Sequence, residues 1–249
     1  MIHPALHRNP VALDRNRHRL LRLKRNVDDL SRLAELNSFF VAAGEFAEAC
    51  REYPVVWIPA GVDASGARQV APVAVFGVTP NQNLCIDASG WRTRYVPVLL
   101  RMYPFALARA GDSEVVLCYD ASWPGFTLTE GESLFEADGT PTAFTAEMQT
   151  QLQNIEAEVE RTRLIGEKLL QKNLLQEMRF DATLPDGQKM TVDGFLTVDD
   201  KRFGELSDAD VLELHRSGIL GLIHAHQVSL GNMRRLIEWH AQRSATQPA

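Results

Sequence analysis

YPVVWIPAGVDASGARQVAPVAVFGV, residues 53–78, decides the fold class. Two runs rich in β-branched and aromatic residues, 53–60 and 69–78, flank a stretch of Gly, Asp and Ser. That is the pattern of strands set apart by turn residues. The ring of Pro54 excludes the helical conformation at Tyr53, so the first run enters extended. Similar runs follow at NLCID (83–87), VPVLLRMY (96–103) and SEVVLCYD (113–120), separated by Gly, Pro, Asn and Asp. Their near-continuous apolarity implies a sheet covered on both faces. Residues 96–107 also satisfy a short helix starting at Pro97, because proline suits a first helical turn.

Outward from this block the texture becomes helical. ELNSFFVAAGEFAEAC (35–50) has helical character around Phe46 and Cys50. Residues 121–143, with Pro124-Gly125 and Asp138-Gly139, read as loops and turns. A long amphipathic helix is predicted over about 145–175, capped by Thr145 and with Glu147 in its first turn. Met148, Leu152, Ile155, Val159, Thr162, Gly166 and Leu169 alternate spacings of four and three and form one stripe. The sequence MRFDATLPDGQKMTVDGFLTVD (178–199) predicts a hairpin turning at Asp186-Gly187. Residues 207–243 predict a C-terminal helical pair, capped by Ser207 and interrupted by a left-handed Gly218. The expected fold class is α+β, a mainly antiparallel β-sheet drawn from 53–120 and 178–199 and wrapped by helices. The expected organisation is a basic arm (1–25), a single α+β domain (26–243) and a flexible tail (244–249).

The net charge of −6 conceals an asymmetry. Residues 1–25 hold seven bases against the single acid Asp14, so the arm carries +6 and the remainder −12. Such an arm can meet nucleic acid, anionic lipid or an acidic partner, or lie on its own acidic body. The three cysteines, at 50, 85 and 118, form no CxxC pair, and Cys85 and Cys118 fall inside apolar runs. They read as buried thiols in a reducing compartment, and a cytoplasmic location is expected. The longest apolar run, 70–78, is about half of what a spanning helix needs, so no membrane insertion is expected.

Candidate chemistry is sparse. His224-Ala225-His226 invites a metal, with His215 nearby, but residues two apart on a helix do not share a face. No H-E-x-x-H pattern accompanies them. Asp120 ends the VVLCYD run beside Ser122, at a position where catalytic acids and turn formers both occur. His224, His226 and Asp120 are the weak candidates for a catalytic group or, for the two histidines, a metal site; the default expectation is no metal. No glycine-rich phosphate loop occurs, and no cofactor is expected. The candidate binding residues are Trp91, Arg94, Arg101, Arg234 and Arg235, since Trp and Arg dominate binding hot spots. Tyr103 and Phe105 are expected in the core. The C-terminal pair outlines a helix-turn-helix, but its second helix is apolar where a DNA reader is polar, so nucleic acid is disfavoured. The stripe over 145–175 offers a possible homodimer seam, with burial inside the chain as the default.

Several segments together carry a family resemblance. They are PVALDRNRHRLLRL (10–23), Glu45-Phe46 ahead of Tyr53-Pro54, NLCID, Gly90-Trp91, YVP (95–97) with RMYPF (101–105), CYDAS (118–122), LFEADGTPT (134–142) and IHAHQVSLGNMRRL (223–236). In order and spacing the chain resembles the SapC family of bacterial S-layer-associated proteins. The resemblance implies an accessory protein linked to surface-layer protein production or export, acting through protein partners. It supplies no catalytic residues. The alternatives are a metal-dependent enzyme using His224 and His226 with an acid, and a nucleic-acid regulator using the arm and the last helices.

Overall fold

The computed structural model describes residues 2–24, 30–110, 114–183, 187 and 189–246. The chain folds into two compact units, Met1–Leu33 with Val98–Ala157, and Ala34–Pro97 with Glu158–Ala249. The α+β expectation holds, with the antiparallel strands divided among several sheets.

In the first unit, strands Pro10–Ala12, Glu114–Asp120 and Phe105–Ala110 form one antiparallel sheet, with Glu114–Asp120 in the middle. The short strand Arg22–Leu23 pairs on one side with Phe126–Thr127 and on the other with Glu132–Ser133. The basic arm is therefore part of the fold as far as Lys24, with Leu6, Leu21 and Leu23 buried; Arg25 lies outside the described residues. An aromatic cluster fills this unit. Phe126 meets Tyr119, Trp123 and Phe105 edge-on, and Phe105 also meets Phe144. Residues 96–103 resolve as the helix Val98–Met102, followed by the strand Phe105–Ala110.

The second unit is built on a five-stranded antiparallel sheet. Its order is Leu175–Thr183, Lys189–Val198, Val55–Val62, Arg68–Val75 and Ser38–Phe40. The quoted opening stretch supplies two of its neighbouring strands. Val55, Val56 and Trp57 are buried in a row, as are Pro72–Val75, as expected for a doubly covered sheet. The hairpin 175–198 joins strand Val55–Val62 through a single register pair, Leu196 with Trp57. The cause is local. Pro59, two residues on, presents its backbone to the same edge and has no N–H to continue the ladder. Gly194, at φ 81°, bends the other strand at the same level. The hairpin forms as predicted, and of its turn only Gly187, at φ 85°, is described. The NLCID run is mostly not strand; only Ile86–Asp87 pairs, with Gly90–Trp91.

The long helix spans Ala143–Gln171. Leu152, Ile155, Thr162, Gly166 and Leu169 of the predicted stripe are buried, so its seam is used within the chain. Thr145 is not the cap. It is buried inside the helix and donates to the Leu134 carbonyl (2.8 Å), while Thr142 stands at the start and receives the Thr145 N–H (3.4 Å). A glycine occurs in the stripe because the helix lies close to the sheet. A Cβ at Gly166 would sit 2.9 Å from the Val70 carbonyl oxygen. Two residues past the helix end, Asn173 takes the left-handed conformation.

The C-terminal region holds the helices Asp200–Gly204, Asp208–Arg216, Ile219–Ser229 and Met233–Thr246. Ser207 caps the second of these through the Asp210 N–H, and Gly218 is left-handed (φ 77°), both as predicted. The second predicted helix is broken by a 3₁₀ turn at Leu230–Asn232. The segment predicted as a tail from 244 begins inside the last helix; residues 247–249 lie outside the described residues.

Candidate functional site

Asp120 ends the central strand of the first unit's sheet, and its side chain is fully buried. Oδ1 accepts the Asn9 N–H (3.0 Å), the Ser122 N–H (3.1 Å) and the Ser122 hydroxyl (2.5 Å). Oδ2 accepts the Arg8 N–H (3.3 Å), the Tyr103 hydroxyl (3.0 Å) and an ion pair from Arg32. Arg32 also reaches the Leu6 carbonyl (3.0 Å) and the Ser122 hydroxyl (3.0 Å). Burial alone would raise the Asp120 pKa. The hydrogen bonds from Ser122, Asn9 and Tyr103 outweigh it and bring the value to about 2. A carboxylate surrounded by six donors and held this acidic is a poor general base at neutral pH. It ties the N-terminal segment, residues 8 and 9, to the sheet.

In the second unit, the Trp91 indole N–H donates to the hydroxyls of Tyr53 (2.9 Å) and Thr93 (2.7 Å). The Tyr53 hydroxyl donates to the Tyr95 carbonyl, and the Tyr95 hydroxyl donates to Glu45 (2.5 Å). Phe76 meets both Tyr53 and Trp91 edge-on. Burial pushes the Tyr53 phenol well above its ordinary range, against the hydrogen bonds from Thr93 and Trp91. Trp91 is thus a member of a core polar network.

The closing IHAHQVSLGNMRRL segment serves as a clamp. His226, Ser229, Asn232 and Arg235 recur every three residues along one side of the helical C-terminus. Each bonds main chain of residues 50–55. His226 Nδ1–H donates to the Val55 carbonyl (2.7 Å), and Nε2 accepts the Val198 N–H (3.1 Å). The Ser229 hydroxyl accepts the Val55 N–H (2.9 Å). Asn232 donates to the carbonyls of Cys50 (2.8 Å) and Tyr53 (3.1 Å), and Arg235 donates to that of Glu52. These carbonyls close the helix Phe46–Glu52 and lack partners within it. Burial lowers the His226 pKa, so the ring is neutral, with both nitrogens engaged by backbone. His224 points elsewhere, edge-on to Phe203 and bonded to Gln227. The two histidines do not converge, and among the described residues no group of three metal-ligating side chains gathers.

One turn further, the same helix borders a cleft of about 460 Å³. Arg92 lies over the Trp239 ring, 4.0 Å from its centroid, and Arg235 approaches the same ring at 5.3 Å. Arg92 donates to the Leu84 carbonyl (3.3 Å) and stands 3.4 Å from Asp87. Arg243 donates to the Asn83 carbonyl (3.2 Å). The Ser89 hydroxyl and N–H hold Asp87 below the usual carboxylate range. Leu84, Ile86 and Ala88 supply an apolar wall. Burial pushes the neighbouring Cys85 thiol up to about 12, so it is an inert packing group.

Of the predicted binding residues, Trp91 and Arg235 are built into the second unit as described. Arg94 is exposed there, and Arg234 is exposed and paired with Glu238 (3.1 Å). Arg101 belongs to the first unit. The cleft's own residues, Arg92, Trp239, Arg243 and Asp87, were not among the sequence candidates. A signal existed, since Arg235, Trp239 and Arg243 are spaced by four and must share a helix face. No curated protein and no solved structure matches the chain. The family model described as SapC matches residues 13–236, spanning Asp120 without its Arg8 and Asn9 donors, the whole clamp and the Arg92 side of the cleft. The chain belongs to the SapC family.

Proposed function

We propose that this protein is a cytoplasmic accessory protein of the SapC type, which assists surface-layer protein production or export by binding protein partners. The observation that carries this reading is the cleft on Trp239, where Arg92 and Arg243 meet an apolar wall. Trp and Arg in a concave site are the residues that anchor protein partners. A supporting observation is the engagement of Asp120 and His226, the side chains best suited to acid–base chemistry, by main-chain groups of the fold. Family membership is the context for the surface-layer link. The test is affinity purification of the full chain from its native cells, with quantitative mass spectrometry. Stoichiometric recovery of an envelope or export protein is expected. Recovery of the chain without any such protein, together with turnover of a co-purified small molecule, refutes the reading.

A further inference from the structure

We infer that strand Leu175–Thr183 is a pairing edge occupied by a second copy of this chain. Two such strands align antiparallel about a two-fold axis at Phe180 and join the two hairpins into one sheet. The inference goes beyond the proposed function and does not depend on it. The edge itself is the first argument. The five-stranded sheet has two outer strands. Ser38–Phe40 has only 3 residues, and shortness is one way in which proteins blunt an edge. Leu175–Thr183 has 9, with no proline and no lysine. The bulge of the hairpin falls on the inner strand, at Gly194, and not on the outer one. Among the described residues, no group outside the hairpin hydrogen-bonds the main chain of 175–183. The ribbon is the second argument. The inner strand joins Val55–Val62 at one register pair, Leu196 with Trp57. Beyond it, Phe180–Thr183 and Lys189–Val192 pair only with each other, and a two-stranded ribbon is marginal in water. A second hairpin laid along this one supplies the strands that it lacks.

Register is the third argument. A two-fold axis normal to the sheet keeps each side chain on its own face, so the centre must fall on a residue. Three such registers keep most of the strand paired. Centred on Arg179, the two guanidinium groups oppose each other and Glu177 meets Asp181. Centred on Met178, Glu177 meets Arg179, but Leu175 faces Asp181 and Gln176 faces Phe180. Centred on Phe180, Arg179 of each copy stands opposite Asp181 of the other, Phe180 opposite Phe180, and Met178 opposite Ala182. This register alone matches opposite charges on one face and apolar groups on the other. The charged face is already ordered. Arg179 bonds Asp181 within the strand (2.9 Å), and Asp181 accepts the Thr191 hydroxyl (2.7 Å). Around the axis the four charges then alternate in sign. On the other face Met178, 39% exposed, and the half-buried Phe180 gain apolar neighbours. A seam of one strand per copy makes a weak, reversible dimer, not an obligate one.

The experiment is sedimentation equilibrium of the full chain from micromolar to millimolar concentration, with R179D, D181R, their equimolar mixture and R179D/D181R. A reversible dimer is expected for the parent. Each single reversal sets like charges opposite one another at both sides of the axis and should weaken the dimer about tenfold. The double variant and the mixture restore opposite charges and should recover most of that loss. Melting temperatures check that the variants fold. A second readout fixes the centre. F180C should form an intermolecular disulfide in diamide, because opposed Cα atoms of an antiparallel pair lie about 4.5–5.5 Å apart, within disulfide reach. M178C and the parent should not. A monomer at every concentration overturns the inference, also where cell extract protects the amides of 175–183 from exchange, which assigns the edge to a strand of another protein. A dimer indifferent to both reversals, a mixture that recovers nothing, association beyond a dimer, or a cross-link through M178C in place of F180C overturns it as well.

Discussion

Replacing Asp120 by Asn should uncouple the first unit's stability from acid pH. The side chain is fully buried and receives six donors. Asn keeps one acceptor oxygen and turns an NH₂ toward three of those donors, among them the Arg32 guanidinium, itself only 11% exposed. Removing one partner of a buried ion pair costs about 3–5 kcal/mol at neutral pH. Part of this depends on ionisation. The Asp120 pKa falls from 3.8 to about 2 on folding, which at 1.36 kcal/mol per pH unit is worth about 2 kcal/mol. For an acid whose folded pKa is depressed, the contribution is complete above the unfolded value and disappears as pH drops through the folded one. At pH 3 about half of it is gone. The gap between parent and D120N should therefore shrink by about 1 kcal/mol between pH 7 and pH 3. Other carboxylates titrate over the same range, but they are common to both proteins and cancel in the difference. Hydrogen exchange of the Phe105–Ala110 strand in a urea series, read by mass spectrometry, reports the unit's opening free energy at each pH. A gap that is the same at both pH values, or that widens in acid, refutes the claim that Asp120 is held as an ion by its donors.

Four variants of the second unit have defined outcomes. His226→Ala leaves the Val198 N–H without its partner and the Val55 carbonyl with only the Ser229 hydroxyl at 3.4 Å, and should cost about 1–3 kcal/mol in urea unfolding. Because the folded pKa of His226 lies below 6.5, its contribution is complete above that value and fades as pH falls; the parent should lose stability from pH 7 to pH 5 more steeply than the variant. Gly166→Ala forces a Cβ to 2.9 Å from the Val70 carbonyl, and overpacking of about 1–3 kcal/mol should exceed the helix-propensity gain of about 1 kcal/mol, lowering the melting temperature. Gly221→Ala, in a helix with nothing within 4 Å of the new Cβ, should instead raise it. Asn232→Ala strands the carbonyls of Cys50 and Tyr53 and should cost about 1–3 kcal/mol, visible as faster hydrogen exchange across Phe46–Glu52.

The parts of this fold legible in the sequence are those that declare themselves within one element. The β-branched runs of 53–78, the stripe of the long helix, the Ser207 cap and the left-handed Gly218 each carry their own period or local chemistry. Where the sequence misled, a distant partner had decided. Thr145 has the right chemistry for a cap, but the Leu134 carbonyl takes its hydroxyl and the helix starts earlier, at Ala143, just after Thr142. His224-His226 suggested a shared ligand. The helix separates the two rings, and His226 is claimed by backbone groups on two strands, one of them 171 residues away. Arg92 and Trp239 stand on elements far apart in the chain, so neither reveals the other. Only the four-residue spacing on the last helix hinted that Trp239 had cationic neighbours.

Four polar residues of the C-terminal segment, His226, Ser229, Asn232 and Arg235, hold main chain of residues 50–55, and this bears on how the last helices are fixed. Carbonyls at the end of a helix need donors whatever residues carry them. A clamp built on Cys50, Glu52, Tyr53 and Val55 backbone thus fixes the last helices while placing few demands on the side chains opposite. The same device continues past the clamp, where Arg243 bonds the Asn83 carbonyl and Arg92 bonds that of Leu84. There the geometry differs in one respect. A guanidinium has a flat face as well as five N–H donors, and at Arg92 both the edge and the face are used. At Asp120 and His226 the fold consumes the group. At Arg92 the fold holds the polar edge of the group and stacks its face on Trp239.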